Sequence, residues 1–265
     1  MALKLTEVGI LIYVVMALYV AAGTMLAMHK RPAGTAFFGL GFGVAAFAFV
    51  LRWIEVDHLP LQNMFEVFLC LGALMWPITL FCRRFMGVGG EAADAFIGFL
   101  VLFPAGFVFK ADPQQLPPAL QSPLFLPHVA SYMLSYVIMA KAAVPAFMGL
   151  LADRPTGDPA ALDYEAAANR VARVGFPLLT LGLVLGMWWG KVAWGDYWNW
   201  DPKELWSLIS WLVYLGYFHF RYMFGLKFKR VNCTLLLVGL AAIILTLIWV
   251  NLSRLFASGM HSYAS

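Results

Sequence analysis

The chain has 265 residues, 62% of them hydrophobic and only 12% charged, with a mean hydropathy of +0.79. That much apolar surface exceeds what one water-soluble core can hide, which excludes an ordinary soluble domain and puts the chain in a lipid bilayer. A net charge of +4 and a pI near 9.0 would point a soluble protein toward nucleic acid, but here the basic residues fall in short segments between apolar runs and read as topology signals.

Apolar runs of about 20 residues, the length that crosses hydrocarbon as helix, lie near 8–28, 34–51, 64–82, 95–109, 129–151, 172–191, 202–221 and 232–252. The expectation is an all-α integral membrane protein, a bundle of about eight transmembrane helices forming a single polytopic domain over 1–265. The first run is too long for a signal-peptide core and lacks an obvious cleavage site, so it is expected to stay. The fourth is short unless its helix begins near Ala92 and tolerates Asp94, and losing it would invert every later span. Placing the segments 29–33, 83–94, 152–173 and 221–231 in the cytoplasm collects eleven Lys and Arg residues there, against six on the other side (Lys4, Arg52, Lys110, Lys191, Lys203 and Arg254). The positive-inside rule then sets both termini outside.

Between the fourth and fifth runs, Pro113, Pro117, Pro118, Pro123 and Pro127 remove backbone donors and favour extended or turn conformations, giving a stiff outer strap that ends at His128. Pro77, Pro104, Pro145 and Pro177 fall inside predicted spans, where they should kink helices. Two outer helix starts carry capping signals. In "WDPKELW", Asp201 is a good N-cap, Pro202 suits the first helical position and Glu204 completes a capping box; Asn63 and Glu66 repeat the pattern in "PLQNMFEV". For Asp201, Asn63 and Glu66, capping and direct ligand contact are both open readings.

Seven of the ten tryptophans lie between Trp188 and Trp211. An interfacial aromatic belt explains any one of them, but such density fits a flat stacking surface better. Trp194 and Trp198 would share a face if their loop were helical, with Tyr197, Trp200 and Trp206 nearby. Under the derived topology His58, His128 and His261 reach the same outer side, His29 the inner one, and His219 lies within the seventh span. An aromatic shelf flanked by imidazoles from separate segments is what a porphyrin requires, since rings stack on its faces while histidines ligate iron.

The string W-G-x-x-W-x-W-D, present as Trp194, Gly195, Trp198, Trp200 and Asp201, resembles the tryptophan-rich WWD signature of the haem-handling proteins of cytochrome c maturation. Its continuation "DPKELWSLISWLVY" and the stretch "HLPLQNMFEVF" are similar to the CcsA (ResC) family of System II cytochrome c synthetases, whereas the CcmC branch typically continues with Ala-Arg-Leu. The resemblance runs from about His58 to Tyr263 and places a haem-binding loop over about 188–206, between spans six and seven. It implies non-covalently held haem b, with His128 and His261 as outer axial ligands and His219 as a ligand within the membrane. It also implies a CcsB (ResB) type membrane partner, which would supply the second deep ligand and the docking surface for apocytochrome.

The function so implied is that of a haem lyase component in the bacterial cytoplasmic (inner) membrane, its haem site facing the periplasm or extracytoplasmic side. It would present haem to a C-x-x-C-H apocytochrome, with no catalytic residue separate from haem ligation. The alternative is a haem exporter or chaperone-loading protein of the CcmC type that forms no thioether. Cys70, Cys82 and Cys233 include no C-x-x-C-H, so the chain is not itself a c-type cytochrome, and packing is the better reading for each. Lys141 falls at a depth close to that of His219 by helical rise; it either snorkels toward the cytoplasm or pairs with a propionate of haem at His219.

Overall fold

The computed structural model describes Lys4, residues 6–151 and residues 163–249, with Trp249 described by its backbone alone. Among the described residues eight α-helices occur in order: α1 (Glu7–Ala27), α2 (Arg31–Val56), α3 (Met64–Met86), α4 (Glu91–Phe107), α5 (Phe125–Leu151), α6 (Tyr164–Trp194), α7 (Pro202–Phe224) and α8 (Lys229–Ile244). No strand occurs among the described residues. Each helix coincides with most of one predicted apolar run. Six of them, α1, α2, α3, α5, α6 and α8, the last continued by a π-helical turn so that its span runs Lys229–Ile248, are long and apolar enough to cross a membrane. The other two fall short for different reasons. At 17 residues α4 is about 26 Å long, less than the hydrocarbon thickness, and α7 dilutes its apolar residues with Ser207, Ser210, His219 and Arg221.

The described residues up to Ser122 form one compact unit and those from Pro123 onward a second. In the first, α1 packs on α2 and α4, and α3 closes the ring against the same two helices. Short connections make neighbouring helices antiparallel. Tyr19 stands at the centre. A Cβ on Gly41 of α2 or Gly98 of α4 would meet its ring at 2.5 and 2.7 Å, and its hydroxyl donates to the Gly72 carbonyl of α3 at 3.0 Å. Glycines thus open two facing helices to one aromatic side chain, and a third helix supplies the carbonyl for its hydroxyl. Asp94, buried at the start of α4, is tolerated there because its carboxylate accepts a 3.0 Å hydrogen bond from the Thr79 hydroxyl.

At the end where α3 begins, the predicted capping box is formed. Asn63 accepts from the Glu66 N–H at 3.0 Å, and the Glu66 carboxylate takes the N–H groups of Gln62 at 2.9 Å and Asn63 at 3.4 Å. Glu66 also pairs with Arg52 at 3.0 Å, both side chains being 1% exposed. Arg52, expected among the outer-loop charges, is therefore a buried residue of α2. Its guanidinium also reaches Glu55 and donates to the carbonyls of Ala111 and Asp112, while Gln62 donates to the Gln115 carbonyl at 3.1 Å. A His58 ring nitrogen lies 3.2 Å from the Gln114 carbonyl. The proline-rich strap, which cannot donate at its prolines, is held by its carbonyls instead.

In the second unit α5 packs most extensively on α6, also meets α8, and α7 completes the ring through α8 and, less closely, α6. Tyr214 of α7 lies on Gly239 of α8, 2.6 Å from where its Cβ would be. The end of this unit where α6 begins is polar. Glu165 receives Arg221 through two nitrogens at 2.7 and 3.2 Å and Asn232 at 3.0 Å, and Tyr217 donates to Asn169 at 3.1 Å. Asp163 caps α6; although partial burial raises its pKa, hydrogen bonds from Lys229 and the Ala166 N–H hold the carboxyl below its usual value. Pro77, Pro104, Pro145 and Pro177 lie inside α3, α4, α5 and α6.

Candidate functional site

α6 carries Gly182, Gly186 and Gly190 four residues apart, a stripe of small residues that lets another helix approach closely. The first turns of α5 use that access. A Cβ on Gly182 would stand 2.9 Å from the Tyr132 ring, and one on Gly186 would stand 2.6 Å from His128 Cε1 and 2.9 Å from its Nδ1. The half-buried His128 ring thus lies directly against the α6 backbone. Its Nδ1 is 2.8 Å from the Gly182 carbonyl. A carbonyl only accepts, so Nδ1 carries the proton and the lone pair is on Nε2, the atom through which this ring can ligate a metal.

Aromatic rings fix the imidazole from other sides. Tyr132 meets it edge-on at 5.0 Å and Trp189 stacks on it at 5.5 Å. Trp189 is 3% exposed and touches Phe125 at 5.8 Å and Trp194 at 4.8 Å. Contacts of this kind each add about 0.5–1.5 kcal/mol beyond burial, enough to define a ring's orientation. A continuous aromatic path therefore runs from His128 through Trp189 to Trp194, the first residue of the W-G-x-x-W-x-W-D string.

α6 ends at Trp194 because Gly195 adopts φ +92°, a left-handed cap that closes onto the Lys191 carbonyl. The loop beyond is not helical, so Trp194 and Trp198 do not share a helix face. Trp198 instead pairs edge-to-face with Trp200 at 5.9 Å, and its buried indole N–H has no acceptor among the described residues. Trp200 is 68% exposed with φ +58°. For a bulky residue that backbone costs about 1–3 kcal/mol and persists only when neighbours enforce it. The buried Asp201 then caps α7, accepting from the Lys203 N–H at 2.9 Å with Pro202 at the first helical position.

The remaining predicted residues are spread more widely. His261 lies outside the described residues. His219 is exposed on α7, on a different face from Tyr214 and Tyr217, which are buried against the other helices of the unit, and its Nδ1 is 2.9 Å from the Leu215 carbonyl one turn back. Lys141 is completely buried on α5. His58 belongs to the first unit, in the connection between α2 and α3, against the strap carbonyl of Gln114. Sequence reasoning missed Trp189, Tyr132 and the two glycines, Gly182 and Gly186, that admit Tyr132 and His128. The four-residue glycine spacing was the readable signal; nothing in the sequence separates buried Trp189 from exposed Trp188.

Most of the chain is similar to proteins of cytochrome c biogenesis. Over 252 residues the chain is 32% identical to "Cytochrome c biogenesis protein CcsA" of Parasynechococcus marenigrum (strain WH8102), covering 81% of this chain and 80% of the relative. A protein of the same name from Synechococcus sp. (strain WH7803) is 31% identical over 261 residues, covering 81% and 79%. The one from Chlamydomonas reinhardtii is 31% identical over 230 residues, and there the match spans 81% of this chain but 63% of the longer algal protein. The model of the family "Cytochrome C assembly protein" matches residues 60–261, which include the α3 capping box, His128 and the whole tryptophan-rich loop. The chain belongs to the cytochrome c assembly protein family.

Proposed function

We propose that the chain carries haem b as cargo at the end of the second unit where α5 and α7 begin, and presents it for covalent attachment to C-x-x-C-H apocytochrome c. The observation that carries this reading is His128, whose Nδ1 is committed to the Gly182 carbonyl and whose ring is packed against the tryptophans leading into the loop. A carbonyl-oriented imidazole is the arrangement by which proteins set a metal-ligating histidine. No three His, Cys, Asp or Glu side chains among the described residues form a metal cage. Haem needs none, because the porphyrin fills the equatorial positions and the protein supplies axial imidazoles. His261 is the second axial ligand in this reading, and Trp194, Trp198 and Trp200 supply the stacking surface. The buried Trp198 N–H is a donor suited to a propionate.

Bound haem supplies the vinyl groups to which the cytochrome thiols add. The residues of this chain hold and orient it, limit water and oxidant at the iron, and release it when the histidine of the incoming C-x-x-C-H takes over an axial position. His219, exposed on α7 and facing away from its own unit, is a deep ligand completed by a CcsB (ResB) type membrane subunit; Lys141, completely buried on α5, does not share that surface. The activity is that of a holocytochrome c synthase in the inner membrane, with its haem site on the extracytoplasmic side.

Co-expression of the chain with a CcsB-type subunit and a C-x-x-C-H reporter, in a host without other maturation systems, tests this. The reporter should acquire haem that survives denaturing electrophoresis, and omission of either membrane subunit should abolish it. A chain that binds haem yet never yields covalent reporter haem with its partner present would refute synthesis and leave haem export.

A further inference from the structure

Trp200 joins a bulky side chain to a left-handed backbone and to high exposure, and the structure assigns the enforcement of that combination to Glu204. One carboxylate oxygen, Oε2, accepts the N–H of Asn199 at 2.8 Å and the N–H of Asp201 at 3.2 Å. These two amides flank Trp200. Drawing both to a single oxygen closes the backbone around the residue between them, gives it φ +58° and turns its indole outward. Both bonds run from Glu204 to loop backbone, so it is a positioning residue for Trp200 and, through the edge-to-face contact at 5.9 Å, for Trp198.

The first unit contains the control for this geometry. Glu66 likewise opens a helix from a capping box, but its Oε2 takes the N–H groups of Gln62 and Asn63, which are consecutive. No residue is skipped, Asn63 keeps φ −112°, and both Gln62 and Asn63 are buried. At α7 the same chemistry spans one residue more, and the extra residue is an everted tryptophan. Ordinary capping needs only the Asp201 N–H. The bond to Asn199 adds nothing to the cap and acts on the loop alone.

The purpose given to this clamp rests on the haem reading: an indole held outward before the ligand arrives avoids the ordering cost of fixing it on binding. The clamp itself does not depend on that reading, and the test separates the two. In the purified full-length chain, hydrogen exchange at the Asn199 and Asp201 amides and absorbance titration with ferric haem are measured for the wild type, Glu204→Ala, Glu204→Gln, Trp200→Ala and the Trp200→Ala/Glu204→Ala double variant. Glu204→Ala should speed exchange at both amides and weaken haem binding about tenfold. Glu204→Gln, whose amide oxygen still accepts, should stay within about threefold of wild type. Because Glu204 acts through Trp200, adding Glu204→Ala to Trp200→Ala should cost less than about twofold more, within ordinary additivity error. Unchanged exchange at both amides in Glu204→Ala overturns the clamp. A full additional loss in the Trp200→Ala background shows that Glu204 serves the helix and not the indole, which also overturns it. If the wild type takes up no haem, the haem reading falls while the exchange measurements still decide the clamp.

Discussion

Arg52→Ala is expected to cost about 3–5 kcal/mol of stability, the penalty for leaving a buried carboxylate without its counter-charge. Glu66 is 1% exposed, and among the described residues Arg52 is the only cation paired with it. Its remaining partners are the N–H groups of Gln62 and Asn63 and the Asn63 amide, which satisfy lone pairs but carry no charge. The same substitution removes the donors on the carbonyls of Ala111 and Asp112, so the strap between α4 and α5 should loosen along with the bundle. Thermal unfolding followed by helical circular dichroism reads the first effect, and brief proteolysis within 110–122 reads the second. Replacing both partners, as Arg52→Met with Glu66→Leu, should cost less than Arg52→Ala alone even though it forfeits the α3 capping box. That box is worth about 1 kcal/mol, less than an uncompensated buried charge. A loss below about 1 kcal/mol for Arg52→Ala would place the pair among ordinary surface bridges and contradict its burial.

Gly186→Ala should weaken haem binding at least tenfold while leaving the fold nearly intact. The added Cβ would stand 2.6 Å from His128 Cε1 and 2.9 Å from Nδ1, too close for the ring to stay where it is. The imidazole can swing aside at modest cost, since it is the mobile end of a side chain. In doing so it leaves the Gly182 carbonyl and the face of Trp189, the two contacts that fix its tautomer and direction. The expected result is at least a tenfold weaker haem affinity, about 1.4 kcal/mol, with a stability change under about 1 kcal/mol. Gly43→Ala on α2 is the matched control, because a Cβ there meets nothing within 4 Å. It should be neutral or slightly stabilising, as alanine is the better helix former. Equal haem affinity in the two variants would remove His128 from the site.

The helices were legible in the sequence because each coincides with an apolar run, and the starts of α3 and α7 because capping boxes are local patterns of four residues. What the sequence hid depends on contacts between distant segments. Arg52 looked like one more outer charge, since its partner Glu66 lies 14 residues away and its strap carbonyls about 60 away. Helix α6 runs well past its apolar segment, starting at Tyr164 rather than near 172, because an α-helix satisfies its own backbone on either side of a hydrocarbon boundary. It then stops at Gly195, and that one left-handed residue decides that Trp194 and Trp198 do not share a helix face. Within the site, His128 and Trp194 could be named from the sequence, but not Trp189, which joins them.

Whether His128 is an axial ligand for haem is decided by absorption spectra of the purified chain as wild type and as His128→Ala, with and without added imidazole. The wild type should show a low-spin bis-histidine haem spectrum, and the variant should lose its haem or convert it to the high-spin form. Free imidazole entering the space vacated beside Gly186 and Trp189 should restore the low-spin form. Wild-type and His128→Ala proteins with the same haem content and the same spectrum would show that His128 does not ligate the iron.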